Sequence, residues 1–200
     1  MMWTTRLQTI LAMIGVLWLV SCSQQPDTSP ETEPIAPAEP AGQASTVQRA
    51  EPVGDWPDTS NVSRAGRFYF AGQPGEAAFR KAAADGVTMV INLRTEPEVA
   101  GLPFDEPALV AELGMKYVNI PVKPGGFSPA IVDRFAEAVA STDQPVLVHC
   151  GSSDRVGGMW AAYLARTRGM QWDQALELGR TAGLRSPTII ESARRAAAGP

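Results

Sequence analysis

Residues 145–158 read Pro145-Val146-Leu147-Val148-His149-Cys150-Gly151-Ser152-Ser153-Asp154-Arg155-Val156-Gly157-Gly158. An apolar run leads into a His-Cys pair, a polar turn follows, and an alanine-rich apolar stretch comes after it. This is the pattern of strand, tight loop and helix. Such a loop points several backbone N–H groups and a helix N-terminus at one spot, which makes an anion site. The same positive field favours thiolate, so Cys150 is a candidate nucleophile. The segment holds the only histidine of the 200-residue chain and one of its two cysteines.

The other cysteine closes the N-terminal segment. Arg6 precedes an apolar run from Ile10 to Val20 that ends in Leu19-Val20-Ser21-Cys22. That run is shorter than the ~20 residues a bilayer span needs and fits the apolar core of a secretory signal. Leu-Val-Ser-Cys resembles the lipobox of bacterial lipoproteins, which implies lipid on Cys22 and residues 1–22 as signal peptide. Ser23 after that cysteine favours the outer membrane, with the domain facing the periplasm. Lipid on Cys22 would leave Cys150 without a partner for a disulfide inside the chain.

Residues 23 to about 58 are expected to form a flexible tether. The stretch is rich in Pro, Ser, Thr, Glu and Ala, and holds no aromatic residue before Trp56, so it cannot offset the entropy of ordering. The folded domain is then expected over 59–198, an ordinary single-domain size. Net charge is −4 and no basic block appears, which gives nucleic-acid binding no support. With one histidine in the chain, a multidentate zinc site is not expected, and no cofactor is implied.

Strands and helices alternate through the domain. Arg67–Phe70 reads as a strand, Glu76–Asp85 as a helix stopped by Gly86, and Val87–Leu93 as a buried parallel strand. A loop over 95–104 leads to a short helix capped by Asp105 and ended by Gly114. A strand over 116–120 follows, and Ser128-Pro129 opens a helix running to Ala140. Pro145–His149 is the strand that delivers the cysteine, and helices follow near 156–167, 172–182 and 187–197. Trp160 and Trp172 fall on helical faces that suit a core. The order predicts an α/β fold with a mainly parallel central sheet flanked by helices. Ligands gather at the carboxyl ends of strands in such sheets, where Cys150 is expected.

Three separated motifs carry a resemblance: Ala71-Gly72-Gln73-Pro74, Val90-Ile91-Asn92-Leu93-Arg94, and Val148-His149-Cys150 with Arg155-Val156-Gly157. Over residues 60–185 the chain resembles the cysteine-dependent (tyrosine and dual-specificity) phosphatases. Within them it resembles the bacterial tyrosine-phosphatase-like proteins related to the phosphatase-like domain of beta-lactamase-hydrolase-like proteins. The resemblance implies hydrolysis of a phosphorylated small molecule or protein through a phosphocysteine, with Cys150 and Arg155 catalytic. It also implies substrate contacts from Gly151, Ser152, Ser153, Asp154 and Arg94, with His149 orienting the loop. Arg94 is expected at a neighbouring strand end, paired with Glu96 or Glu98.

Several residues depart from the superfamily pattern. Four residues separate Cys150 from Arg155, where five are usual and four also suit a rhodanese-type sulfurtransferase. Ser153 stands where glycine is usual, which adds strain if φ is positive. Asp154 would repel phosphate if its carboxylate turned inward. The loop expected to carry a general acid, residues 119–126, contains no aspartate; Asp154, Asp133 or water could substitute. Trp56-Pro57-Asp58 spells an acid-loop tripeptide but precedes the first expected strand and reads as coincidence. The alternatives to a phosphatase are a sulfurtransferase and a catalytically silent domain that binds an anion or a protein.

Overall fold

The computed structural model describes residues 47–54 and 56–198. The expected signal peptide, Cys22 and residues 23–46 of the expected tether lie outside the described residues. The strands are β1 (Glu51–Pro52), β2 (Ser63–Ala65), β3 (Phe68–Ala71), β4 (Met89–Asn92), β5 (Lys116–Asn119) and β6 (Val146–His149). They form one six-stranded sheet in the order β1-β2-β3-β6-β4-β5. From β3 to β5 every pairing is parallel, and β1 and β2 add an antiparallel edge.

Seven helices follow the same chain order: α1 (Glu76–Ala84), α2 (Glu96–Ala100), α3 (Glu106–Glu112), α4 (Pro129–Ala140), α5 (Asp154–Arg168), α6 (Trp172–Thr181) and α7 (Pro187–Ala198). Strand alternation sorts the side chains to two faces. Phe70, Ile91, Val146 and Val148 join Val132 and Phe135 of α4, and Met159 and Trp160 of α5, in one core. Tyr69, Val90 and Leu147 join Phe79 of α1 and Leu109 and Val110 of α3 in the other. β6 lies between β3 and β4 with all of its residues buried. The cysteine loop therefore leaves the middle of the sheet.

Three expectations need correction. The domain begins before residue 59: Ala50 is buried, β1 pairs with β2, and Trp56 is buried with its ring 5.3 Å from that of Tyr69. Composition failed there because β1 has two residues, too few to show a period, and includes a proline of the kind confined to edge strands. Secondly, β2 was not anticipated. Thirdly, α2 occupies part of the expected loop over 95–104, opened by Thr95, whose N–H and hydroxyl both bond the Glu98 carboxylate. That is a capping interaction written in the sequence as Thr-x-x-Glu.

Behind the cysteine loop, α5 and α6 pack unusually close. A Cβ on Gly157 would lie 2.4 Å from the Gly179 carbonyl oxygen, and one on Gly179 would lie 2.6 Å from that of Gly157. Only glycine fits at either position, and the closeness lets the segment after α6 reach the start of α5.

Candidate active site

Cys150 follows β6 directly and is 1% exposed. Each residue after it is tied on its outer side. The Gly151 carbonyl accepts from the Gln73 N–H at 3.2 Å, and the Ser152 carbonyl accepts from Asn61 Nδ2 at 3.4 Å. Ser153 adopts φ +71°, the left-handed conformation that disfavours a side chain. Its hydroxyl donates to the Ala182 carbonyl at 2.8 Å, which anchors the strained residue. A Cβ on Gly183 would lie 2.6 Å from that hydroxyl, so serine at 153 relies on glycine at 183.

Asp154 turns away from the loop interior. Its Oδ1 accepts from the N–H groups of Arg185 (2.9 Å) and Ser186 (3.1 Å), just ahead of α7. The inward turn that would repel phosphate is not taken: the Asp154 carboxylate faces amides of the 182–186 segment, and the buried Ser153 hydroxyl is committed to Ala182. Both residues can offer an anion only their backbone. No acceptor among the described residues takes the N–H groups of Gly151, Ser152, Asp154 or Arg155. Unclaimed amides at the start of a 15-residue helix form an anion cradle.

Arg155 supplies the charge. Its Nη1 donates to Glu98 Oε2 at 2.9 Å and its Nη2 to Glu98 Oε1 at 2.7 Å, while Nη1 also donates to the Val122 carbonyl at 2.9 Å. Glu98 thus grips the end of the guanidinium fork. The other edge, Nε–H with the second Nη2 hydrogen, makes no hydrogen bond to a carboxylate or carbonyl among the described residues. It lies toward the loop: a Cβ on Gly151 would be 3.6 Å from Nη2. Burial works against the Arg155 charge, but Glu98 and the adjacent Cys150 thiol outweigh it and hold the guanidinium above its ordinary pKa. The hydrogen bond from Arg155, against partial desolvation, brings Glu98 from 4.5 to about 2. Sequence reading missed Glu98 as the Arg155 partner, although its capping box was visible.

Arg94 sits past the carboxyl end of β4, as expected, with Nε 3.9 Å from Glu98 Oε1. Its Nη1 donates to Gln73 Oε1, and its backbone N–H to Asn92 Oδ1 at 2.7 Å. Its partner is Glu98 rather than Glu96, and the guanidinium stands beside the Arg155–Glu98 pair.

His149 lies on the other face of the sheet from Cys150, because adjacent strand residues point to opposite sides. Its ring packs edge-on against Phe79, with centroids 5.7 Å apart, and its Nε2 meets Glu106 Oε1 at 3.0 Å. Glu106 also accepts from Asn92 Nδ2 (2.6 Å) and Gln73 Nε2 (2.8 Å). Desolvation pushes the Glu106 carboxyl up, but His149, Gln73 and Asn92 prevail, and its pKa lies below the ordinary value. Sequence reading quoted Gln73 and Asn92 within motifs without roles and passed over Glu106, beside the helix cap Asp105.

Of the aspartates named, Asp154 and Asp133 are engaged elsewhere. Asp133 pairs with Arg166 through two hydrogen bonds of 2.7 and 3.0 Å between α4 and α5. Asp58 packs against the start of α1, where a Cβ on Gly75 would lie 2.7 Å from its Cβ. Among the described residues, no three His, Cys, Asp or Glu side chains converge as a metal would require.

A buried thiol beside a guanidinium, at the mouth of a helix after the central parallel strand, defines the architecture of cysteine-dependent phosphatases. Residues 65–167 match the model of the family described as the beta-lactamase hydrolase-like protein, phosphatase-like domain, and the chain belongs to that family. The beta-lactamase hydrolase-like protein of Xylella fastidiosa is 31% identical over 119 residues, covering 58% of this chain and 28% of its own length. That of Agrobacterium fabrum is 29% identical over the same shares. The chain therefore spans little more than a quarter of the length of these relatives. Among solved structures, TpbA of P. aeruginosa aligns with a TM-score of 0.59 at 19% identity, over 79% of this chain and 93% of that one. At that identity the likeness is one of fold.

Because Glu98 is more acidic in the fold than its ordinary 4.5, its pair with Arg155 contributes stability that is complete above about pH 4.5. That contribution is lost as pH falls through 2. Glu98→Gln should lower the unfolding temperature at pH 6, and the gap to the parent should narrow steadily between pH 4.5 and 2. A gap that stays constant across that range would show that the pair is not what sets the Glu98 acidity.

Proposed function

We propose that the domain hydrolyses phosphomonoesters through a phosphocysteine, with Cys150 as nucleophile and Arg155 as the phosphate clamp. The single observation that carries this reading is the edge of Arg155 that no carboxylate or carbonyl takes, turned to the Cys150 thiol. That edge matches two oxygens of a phosphate with parallel N–H donors. The free amides of Gly151, Ser152, Asp154 and Arg155 suit the remaining oxygens. Phosphoryl transfer asks mainly for such positioning and charge stabilisation.

The reaction has two displacements. The Cys150 thiolate attacks phosphorus, the S–P bond forms, and the ester P–O bond breaks with its electron pair leaving on oxygen. Water then attacks phosphorus, the P–S bond breaks, and the thiolate returns as phosphate departs and the water proton passes to solvent. The first displacement is the harder one here, since Asp133 and Asp154 have other partners. A leaving group that needs little protonation is therefore favoured, which points to aryl phosphates. A phosphotyrosine side chain is one, and the solved TpbA complex with pTyr, with a TM-score of 0.54 to this chain at 19% identity, supports that substrate class.

Arg94 adds positive charge at the rim and serves as a substrate contact in this reading. The domain is tethered to the cell envelope through lipid on Cys22, with residues from 23 to the start of the fold as the tether. It is placed at the outer membrane facing the periplasm. Support for this comes from Leu19-Val20-Ser21-Cys22 and Ser23 alone.

With the purified protein, Cys150→Ser should abolish phosphate release from aryl esters. Alkyl phosphates should turn over at least about 100-fold more slowly than aryl ones, the lower end of what a general acid supplies. Comparable alkyl and aryl rates would reveal an acid that this account lacks. Thiosulfate-to-cyanide sulfur transfer that depends on Cys150, without phosphate release, would replace the phosphatase reading with the sulfurtransferase one.

For the tether, the expected result in a bacterial host is fatty-acid label on the protein and its recovery with outer-membrane vesicles, both lost in Cys22→Ala. Label retained in that variant would refute lipidation at Cys22.

A further inference from the structure

Glu106 is a charged group that the proposed chemistry does not use. It is wholly buried, at 0% exposure, on the face of the sheet opposite the thiol. Leaving a carboxylate there unpaired would be strongly destabilising, so what surrounds it indicates what it is for. Its partners come from the ends of three neighbouring parallel strands: His149 from β6, Asn92 from β4 and Gln73 just beyond β3. Tyr117 of β5 stands beside this group. Its hydroxyl accepts from Asn92 Nδ2 at 3.0 Å, and burial first, then the Glu106 charge, hold its proton up to about 12. At neutral pH Tyr117 is thus an O–H donor beside the carboxylate.

Three side chains hydrogen-bond Glu106, with the Tyr117 hydroxyl close beside, and the carboxylate offers them about four lone-pair sites and no hydrogen. A glutamine would turn an N–H₂ toward one of the three, and an apolar residue would strand them all. Because an ionised carboxylate can only accept, the ring hydrogen of His149 is placed on Nε2. Gln73 is oriented in turn, with its amide nitrogen on Glu106 and its oxygen on Arg94 Nη1. The Gln73 backbone N–H also holds the Gly151 carbonyl. The carboxylate therefore reaches the cysteine loop by two routes, through His149 on one side of Cys150 and through Gln73 to Gly151 on the other.

We infer that Glu106 is a positioning residue for the cysteine loop. Gathering His149, Asn92 and Gln73 from three neighbouring strand ends, with Tyr117 of β5 beside them, it fixes where the Cys150 thiol stands. It touches neither substrate nor thiol. Arg155 is held separately by Glu98, so the main phosphate clamp and the thiol placement depend on different carboxylates. This rests on the cysteine reading of the site and assigns it a second level of control.

The test uses the whole protein with Glu106→Gln, His149→Asn and the double variant. Three readouts are taken: 4-nitrophenyl phosphate kinetics, the rate of Cys150 alkylation by iodoacetamide, and protection from alkylation by inorganic phosphate. A misplacement of about 1 Å can cost ~100-fold in rate, so kcat should fall by about that factor in Glu106→Gln. The phosphate concentration giving half protection should change far less than kcat, because Arg155 keeps its hold on Glu98. Since both residues act on one route, the double variant should lose little more than the worse single one. Unchanged kcat, an equal loss of phosphate protection, or additive losses would each overturn the assignment. Should Glu106→Gln fail to fold, Tyr117→Phe removes a single donor at the half-buried edge. It should lower kcat several-fold with protection intact, and no change in kcat would overturn the assignment. If the parent protein turns over no ester, the phosphatase reading falls. Alkylation then decides: non-additive changes in rate support Glu106, and unchanged or additive ones refute it.

Discussion

Arg155 is gripped by Glu98 along one edge of its guanidinium, and the opposite edge is left facing the cysteine loop. Buried arginine is costly unless its charge and donors are met. A partner that met all of them would also fill the place of a phosphate. Two donors of the five go to Glu98 and another interaction goes to the Val122 carbonyl. The pair joins α5 to α2 and fixes the direction of the fork, while the carboxylate cancels much of the local charge. A doubly charged phosphate group then meets an oriented fork and free amides, with Arg94 close by to restore positive potential.

The loop is held from outside in the same manner. Ser153 and Asp154 look like substrate-facing residues in a linear reading, and both point outward into the segment that follows α6. Serine at 153 bears a left-handed backbone conformation, and the hydrogen bond to Ala182 together with the absence of a side chain at Gly183 makes it tenable. Asp154 spends its charge on two amides near the start of α7. The residues that seemed to weaken the anion site are parts of its brace. The close α5–α6 approach at Gly157 and Gly179 brings the brace within reach.

What sequence could reveal follows from the range of each interaction. The parallel strands and long helices were legible because burial repeats along them: β6 is apolar up to His149, and Ser128 with Pro129 marks the start of α4. The strand–loop–helix carrying Cys150 and Arg155 was legible because four residues in a row set its geometry. By contrast, the two-residue β1 and three-residue β2 show no period, and their pairing joins positions distant from β3's helical partners. The Glu98–Arg155 and Glu106–His149 contacts span 57 and 43 residues. The capping box marks Glu98 as a helix-start residue but not as the partner of Arg155, and nothing local distinguishes Glu106 from the exposed Glu112. The direction of the Asp154 side chain was equally unreadable, because the amides that attract it lie about thirty residues later.

The central claim is that phosphate is held by Arg155 and the loop amides while the Cys150 sulfur attacks it. Acid quenching of the protein during turnover of an aryl phosphate, followed by peptide mass analysis, tests this directly. The account predicts one added phosphoryl group on the peptide containing Cys150, absent in Cys150→Ser and much diminished in Arg155→Lys, which keeps the charge but loses the fork. Turnover with no phosphoryl group on that peptide, or with the group on another residue, would contradict it.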